Sequence, residues 1–375
     1  MAVETRNVTL AQAERLVTKA FKATRRGKSK PLVPMIWGAP GIGKSELIQG
    51  IADGGALGNC AVIDIRLPLM EPTDIRGIPY FNPTEQTMKW AAAEEFPSAE
   101  FAKQYDHVII FLDELSAAPQ SVQAASYQLM LNRRVGTYVL PDNVFLVAAG
   151  NREGDGSVSY KMPQALRNRL IHFEVRVDFP SWFEWATANG INPDVLAFLS
   201  NSKGHLFKFD PRSADRAYPT PRSWTFVSDI LEDKDNSEAD IMELVAGTVG
   251  EGTANDFVAY RSIGKDLPSP TDILSGKVKT LTNKESSAAY FLMFNICEEL
   301  RSASEAKEDT KSFHKKANNG LVFMMKNFTK DLVVMGARTM LFQYQLPINP
   351  ADLDCFDEMY AKYGKSVAKA MKVSK

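Results

Sequence analysis

Apolar residues recur along this chain with two periods. Leu10, Ala13, Val17, Ala20 and Phe21 fall on one face at helical spacing, behind T-L-A-Q at 9–12, a string able to close a capping box. This predicts an amphipathic helix at the start of the chain. Apolar runs of strand length follow at 32–37, 60–65, 107–113, 144–149 and 170–177, separated by helix-period segments or by Gly and Pro turns. Strand and helix in alternation predict an α/β domain on a parallel sheet. Pro34 cannot donate to a ladder, so the first of these strands is expected to become regular only at Met35.

Two stretches break the alternation. Residues 71–79 read E-P-T-D-I-R-G-I-P, and Tyr80, Phe81 and Trp90 then surround Asn82-Pro83-Thr84, which predicts a hairpin insertion. Its aromatics either pack on the domain or project toward a substrate or channel. A second hairpin is expected at 135–142, V-G-T-Y-V-L-P-D. Residues 180–198 are helical and aromatic-rich, and 202–218 form a long polar loop. Trp224, Val227, Ile230 and Leu231 mark a further helix, and 265–276, with Pro268 and Pro270, reads as a linker. Apolar helices are expected at 288–300 and 321–342, with Met324, Met325, Met335 and Met340 as core filler. Residues 361–375 form a basic helical tail.

Length and composition narrow the function. The chain has 375 residues, enough for two or three domains, with 44 basic residues against 45 acidic. No global field gathers nucleic acid or anionic lipid, so any such binding must be local. The clearest local run is Lys22, Arg25, Arg26, Lys28 and Lys30, which reads first as a solvated loop. Cys60, Cys297 and Cys355 are odd in number and far apart, as suits reduced thiols in a cytoplasmic protein rather than a disulfide framework. Four scattered histidines make a zinc site a poor expectation. No apolar run is long enough to span a bilayer, so no membrane partner is expected.

The chemistry begins at 38–45, G-A-P-G-I-G-K-S. A glycine-rich turn entering a helix presents backbone N–H groups and a helix N-terminus to an anion. Gly38, Ala39, Pro40, Gly41, Ile42 and Gly43 would form the cradle. Lys44 would place its charge on the β- and γ-phosphates of ATP, and the Ser45 hydroxyl would ligate Mg²⁺. The run 107–114, H-V-I-I-F-L-D-E, ends in two carboxylates at the carboxyl end of a strand, where open α/β sheets bind ligands. Asp113 would hold Mg²⁺ through its water shell, and Glu114 would orient and polarise the attacking water. Read apart from the loop, the pair would simply cap the following helix. Asn151 follows the 144–149 strand and can bond that water or the γ-phosphate; standing alone it would be a turn residue. Arg167 and Arg169 flank the boundary before the 170–177 strand. Arg222 stands in the first turn of a helix, where a cation opposes the dipole.

In this order, 38–45, Asp113 with Glu114, Asn151, Arg169 and Arg222 resemble the Walker A, Walker B, sensor 1, arginine finger and sensor 2 elements of an AAA+ ATPase. The strings E-P-T-D-I-R-G-I-P, K-W-A-A-A-E-E-F-P and T-P-R-S-W are similar to those of the MoxR-type branch. The resemblance covers residues 8–266. It implies a five-stranded parallel core at 31–180 behind an N-terminal helix and basic loop at 1–30. A helical lid at 181–264, a linker at 265–284 and a helical C-terminal region at 285–375 would follow. It further implies a homo-oligomeric ring, expected to be a hexamer, with ATP at each interface. Glu114 and Asn151 would act within one subunit, and Arg169, or in its place Arg167, would reach the neighbour's nucleotide. The resemblance implies remodelling of protein clients or loading of cofactors, often beside a partner with a von Willebrand factor A-type domain, and the hairpins at 75–90 and 133–144 would be the client contacts. Two rival readings are a nucleic-acid motor on the same core, using 22–30 and 202–218, and a monomeric small-molecule kinase.

Overall fold

The computed structural model describes residues 7–24, 32–91, 93–135, 138–152, 154–155, 160–213, 215–283 and 285–373. Arg25, Arg26, Lys28 and Lys30 of the basic run, Ala92 of the K-W-A-A-A-E-E-F-P string, Gly136 and Thr137 of the second hairpin, and Ser374 and Lys375 of the tail lie outside the described residues. The chain divides into two units, residues 1–178 with 209–214, and residues 179–208 with 215–375.

The first unit is α/β. Its strands are β1 (Asn7–Val8), β2 (Val33–Trp37), β3 (Cys60–Arg66), β4 (Ile78–Asn82), β5 (Thr87–Ala91), β6 (His107–Asp113), β7 (Arg134–Val135), β8 (Tyr138–Val139), β9 (Val144–Gly150) and β10 (Leu170–Val175). Its helices are α1 (Leu10–Thr24), α2 (Lys44–Asp53), α3 (Pro72–Arg76), α4 (Ala99–Ala102), α5 (Gln120–Asn132) and α6 (Gln164–Arg167). Among the described residues six strands form one parallel sheet, in the order β1-β10-β2-β9-β6-β3. The five expected strands are present. The sixth is the short edge strand β1, too brief to give a periodic signal.

Strand β6 is buried from His107 through Leu112 and β9 throughout, as strands covered on both faces should be. Helix α1 opens with the expected box: Gln12 N–H donates to Thr9 Oγ1 at 3.2 Å and Thr9 N–H to Gln12 Oε1 at 3.1 Å. It buries Ala13, Val17, Ala20 and Phe21, and the Phe21 ring stacks on Phe145 of β9 at 4.8 Å. Strand β2 becomes regular at Val33 rather than at Met35. Pro34 is tolerated because its register partner is Ile171 of β10, while pairing with β9 starts only at Met35.

Both hairpins are present as antiparallel pairs, β4 with β5 and β7 with β8. Asn82 Oδ1 shapes the first turn by accepting from the N–H groups of Thr84 and Glu85 at 3.0 and 3.3 Å.

The second unit is mainly helical: α7 (Phe179–Ala188), α8 (Pro193–Asn201), α9 (Pro221–Glu232), α10 (Glu238–Val249), α11 (Glu251–Ile263), α12 (Pro270–Leu274), α13 (Ser286–Glu305), α14 (Thr310–Asn327), α15 (Lys330–Arg338) and α16 (Phe356–Val373). Phe198, Trp224 and Phe257 meet as rings in its core, and the Trp224 indole donates to the His205 carbonyl at 2.8 Å. Where one helix was expected at 321–342, α14 ends at Asn327 and α15 begins at Lys330, divided by Phe328 in extended conformation. Helix α12, within the stretch read as a linker, buries Ile273 and Leu274. Met324 and Met340 are fully buried, whereas Met325 and Met335 are half-buried.

Candidate functional site

Strand β2 delivers the chain to Gly38, and the backbone then turns through Gly41 (φ 73°) and Gly43 (φ 93°) before α2 starts at Lys44. That left-handed conformation is costly for residues with a Cβ, which is why glycine stands at both positions. Gly43 brings no side chain to cap α2, as suits a helix N-terminus that is to receive an anion. The Lys44 ammonium is held over the loop by Gly38 O at 2.8 Å, Ala39 O at 3.0 Å and Asn151 Oδ1 at 2.9 Å. Ser45 is the second residue of α2 and is half-buried.

The acids lie on β6, beside β9 in the sheet. Asp113 ends β6, and its Oδ1 accepts from Glu114 N–H at 2.8 Å. Glu114 has φ 55°, a left-handed conformation that costs a non-glycine residue about 1–2 kcal/mol. Leu115 N–H then donates to Ala149 O at 2.8 Å, and Ser116 Oγ lies 3.1 Å from both Asn151 N and Asn151 O. The structure therefore brings the loop, Lys44, Asp113, Glu114 and Asn151 to the carboxyl ends of β2, β6 and β9.

Two charged groupings border this cluster without having been singled out in the sequence. Asp64 of β3 has its carboxyl raised above the usual aspartate range, first by burial and then by the charge of Asp113, with Arg66 at 3.9 Å opposing. Its signal was an acid inside the apolar run C-A-V-I-D-I. Arg152 donates through Nε to Asp155 at 3.2 Å and through Nη1 to Glu174 of β10 at 3.1 Å. Burial works against that guanidinium, but the bonds to Glu174 and Asp155 win and raise its pKa. Nothing in the sequence linked Arg152 to Glu174, which is 22 residues away.

Arg169 is exposed. Its Nη1 donates to the Tyr127 hydroxyl and to Ala165 O at 3.3 Å, with the guanidinium 5.5 Å from the Tyr127 ring centre. Arg167 is an exposed residue at the end of α6, and its carbonyl accepts from His172 Nε2 at 2.7 Å. Arg222 belongs to the second unit and is exposed in the first turn of α9, whose N-terminus is already capped by Thr220 and Ser223. A cavity of about 290 Å³ lined by Lys22, Gly58, Asp106 and His107 lies at the amino ends of β3 and β6, the opposite edge from the acids. Among the described residues no helix is long and apolar enough to cross a membrane.

A glycine turn, a loop lysine, two strand-end acids and an amide at one edge of a parallel sheet define the class: a P-loop α/β protein. No family model matches the sequence, and no curated protein matches it. Among solved structures the chain is similar to NtrX from Brucella abortus in complex with ATP, at 16% identity and a TM-score of 0.37, covering 85% of this chain and 70% of that one. It is also similar to the RuvB Holliday junction branch migration motor of Thermotoga maritima, at 13% identity and a TM-score of 0.32, covering 94% and 86%. At these identities and scores the likeness is loose, and the chemistry rests on the site's own atoms.

Proposed function

We propose that this chain is a Mg²⁺-dependent ATPase of the MoxR-like AAA+ type, which hydrolyses ATP at the subunit interfaces of a ring to remodel or assemble a protein client. The observation that carries the hydrolytic reading is the convergence of Lys44, Asp113, Glu114 and Asn151 beside an uncapped helix N-terminus. The loop N–H groups and Lys44 bind the phosphates. Glu114 polarises a water that attacks the γ-phosphorus, the bond to the β–γ bridging oxygen breaks, and ADP and phosphate leave. Asn151 orients that water or the γ-phosphate from the neighbouring strand.

The donor set fits Mg²⁺. Among the described residues no three His, Cys, Asp or Glu side chains converge as a metal cage. A hydroxyl and one carboxylate, Ser45 and Asp113, suit an ion whose other ligands are phosphate oxygens and water. When bound, the ion would neutralise charge on the phosphates.

Interface catalysis rests on Arg169, an exposed arginine held against its own chain by Tyr127 and Ala165 and free to exchange those contacts for a neighbour's phosphate. Arg167 is the second choice, and Arg222 is the proposed cis contact from the lid. The exposed β4–β5 hairpin supports client contact, with a von Willebrand factor A-type protein as the candidate partner. The nucleic-acid motor has no comparable support, since basic and acidic residues are balanced along the chain.

The test is the mass of the protein with and without a slowly hydrolysed ATP analogue and Mg²⁺, together with ATPase rates for wild type, Glu114→Gln and Arg169→Ala. Ring assembly, with turnover lost in both variants while nucleotide binding persists, is the expected result. A monomer that hydrolyses ATP regardless of Arg169 would overturn the ring, and normal turnover in Glu114→Gln would overturn the catalytic assignment.

A further inference from the structure

We infer that Ser116 is a positioning residue, a hydroxyl clamp that sets the distance between the catalytic acid and the amide on the next strand. The inference rests on the hydrolytic reading above and adds a residue to it. Ser116 is 3% exposed, two residues beyond Glu114. Its Oγ donates to Asn151 O at 3.1 Å and accepts from Asn151 N–H at 3.1 Å, so one hydroxyl satisfies both backbone groups of Asn151. Its own carbonyl accepts from Tyr160 N–H at 2.7 Å, which ties in the segment leading to α6 and the two arginines.

Gly150 completes the clamp. A Cβ there would lie 2.6 Å from Ser116 Oγ, 3.1 Å from Ser116 Cβ and 2.9 Å from Met35 Cε, so a side chain at this position would displace the hydroxyl and push aside the flexible end of Met35. Glycine here serves a close approach rather than a turn, since Gly150 is the last residue of β9 and is not among the positive-φ glycines.

The consequence falls on two side chains. Glu114 is held left-handed between Asp113, whose carboxylate takes its N–H, and Leu115, whose N–H bonds Ala149. Asn151 Oδ1 faces Lys44 only while its backbone stays where Ser116 holds it. Without the hydroxyl, Asn151 N–H and C=O lose a buried partner and the segment shifts to find another. A misplacement of the order of an ångström at a reacting centre costs about a hundredfold in rate.

The test uses the full chain with ATP and Mg²⁺ and compares wild type, Ser116→Ala, Gly150→Ala and the double variant. Expected for Ser116→Ala is a kcat lower by about tenfold to a hundredfold, with KM and the affinity for a slowly hydrolysed ATP analogue within about threefold of wild type. Gly150→Ala should fall similarly, and the double variant should be no worse than the poorer single, because both changes break one contact. The affinity measurement counts correctly folded sites, so lost protein is not mistaken for lost rate. If Ser116→Ala fails to fold, Gly150→Ala decides, since it keeps the hydroxyl and takes its place, while the terminal methyl of Met35, the other atom in its way, sits at the end of a flexible side chain and can turn aside. Unchanged kcat in a folded variant, or multiplicative losses in the double, overturns the clamp. Absence of hydrolysis in wild type would instead overturn the reading on which it rests.

Discussion

The Lys44 ammonium donates to Asn151 Oδ1 at 2.9 Å, so the residue that would hold phosphate is already tied to the one that would sense it. A γ-phosphate arriving at the loop competes with that amide for the same ammonium. Asn151→Ala removes that competition for the Lys44 ammonium, together with the group proposed to orient the water. We expect Asn151→Ala to bind an ATP analogue as tightly as wild type or slightly tighter, and to turn over about a hundredfold more slowly, in line with the loss of one oriented donor. Parallel loss of affinity and rate would mean that Asn151 serves only to build the loop.

Lys44→Ala should behave in the opposite way. Its ammonium offers charge-assisted hydrogen bonds worth about 1.5–3 kcal/mol each, so nucleotide affinity should fall by at least about tenfold. A fluorescent nucleotide titration checks this, and undiminished affinity would move the phosphate site away from the loop.

Glu114 joins a catalytic assignment to a strained backbone, and the two can be separated. Glu114→Gln and Glu114→Gly both remove the carboxylate and should both lose turnover by about a hundredfold or more. Only glycine relieves the φ of 55°. Glu114→Gly should therefore be more stable than Glu114→Gln by up to about 1 kcal/mol, the αL cost less the entropy that glycine adds to the unfolded chain. Denaturant midpoints give the comparison; a less stable glycine variant would show that the left-handed turn costs nothing here.

What could be read before the fold was known follows from distance along the chain. The loop at 38–45 and the acids at 113–114 carry their chemistry in adjacent residues, and strand and helix periods place them. Asn151 was legible because a polar residue at a strand end is conspicuous. Ser116 was not, because it looks like one more small residue in S-A-A-P until the sheet brings it against Asn151, 35 residues on. Arg152 with Glu174 and Asp64 beside Asp113 are pairings of the same kind, made by strand order. Edge strand β1 escaped because two residues give no period, and the break between α14 and α15 because its polar stretch K-N-F-T-K-D at 326–331 contains neither Gly nor Pro to mark it.

The sequence left open whether the aromatics of the first hairpin pack inward. Tyr80, Phe81 and Trp90 are 48%, 55% and 37% exposed, and Met88 beside them is 61% exposed, so these side chains are not packed into a core. Replacing Phe81 and Met88 with Ser should shift stability by no more than about 0.5 kcal/mol for each, as for surface positions in general. A loss of several kcal/mol on chemical denaturation would place these side chains in a buried contact instead.

The second hairpin gives the chain an alkaline signature. The Tyr138 hydroxyl donates to Pro97 O at 2.6 Å, and its ring stacks on Phe96 at 5.7 Å. Burial pushes the phenol up from the ordinary 10.0 to about 12, with Arg133 pulling weakly the other way. In the unfolded chain this phenol ionises near 10.0, while in the folded protein it keeps its proton until about 12. The folded state therefore binds more protons in that window, and stability falls as pH rises through it. The contribution is complete below pH 10.0 and lost by about pH 12. Tyr138→Phe removes both the hydrogen bond and the titration. It should be less stable than wild type at neutral pH, by about 1 kcal/mol for one hydrogen bond, and the gap should close and then reverse as pH rises through the window, because raising the phenol from 10.0 to about 12 outweighs that bond. Tyr260 and Tyr344 are also raised by burial, but they stand in both proteins and cancel in the difference. Melting temperatures of the two proteins across the alkaline range provide the check, and a gap independent of pH would show that Tyr138 is not held protonated by its place in the hairpin.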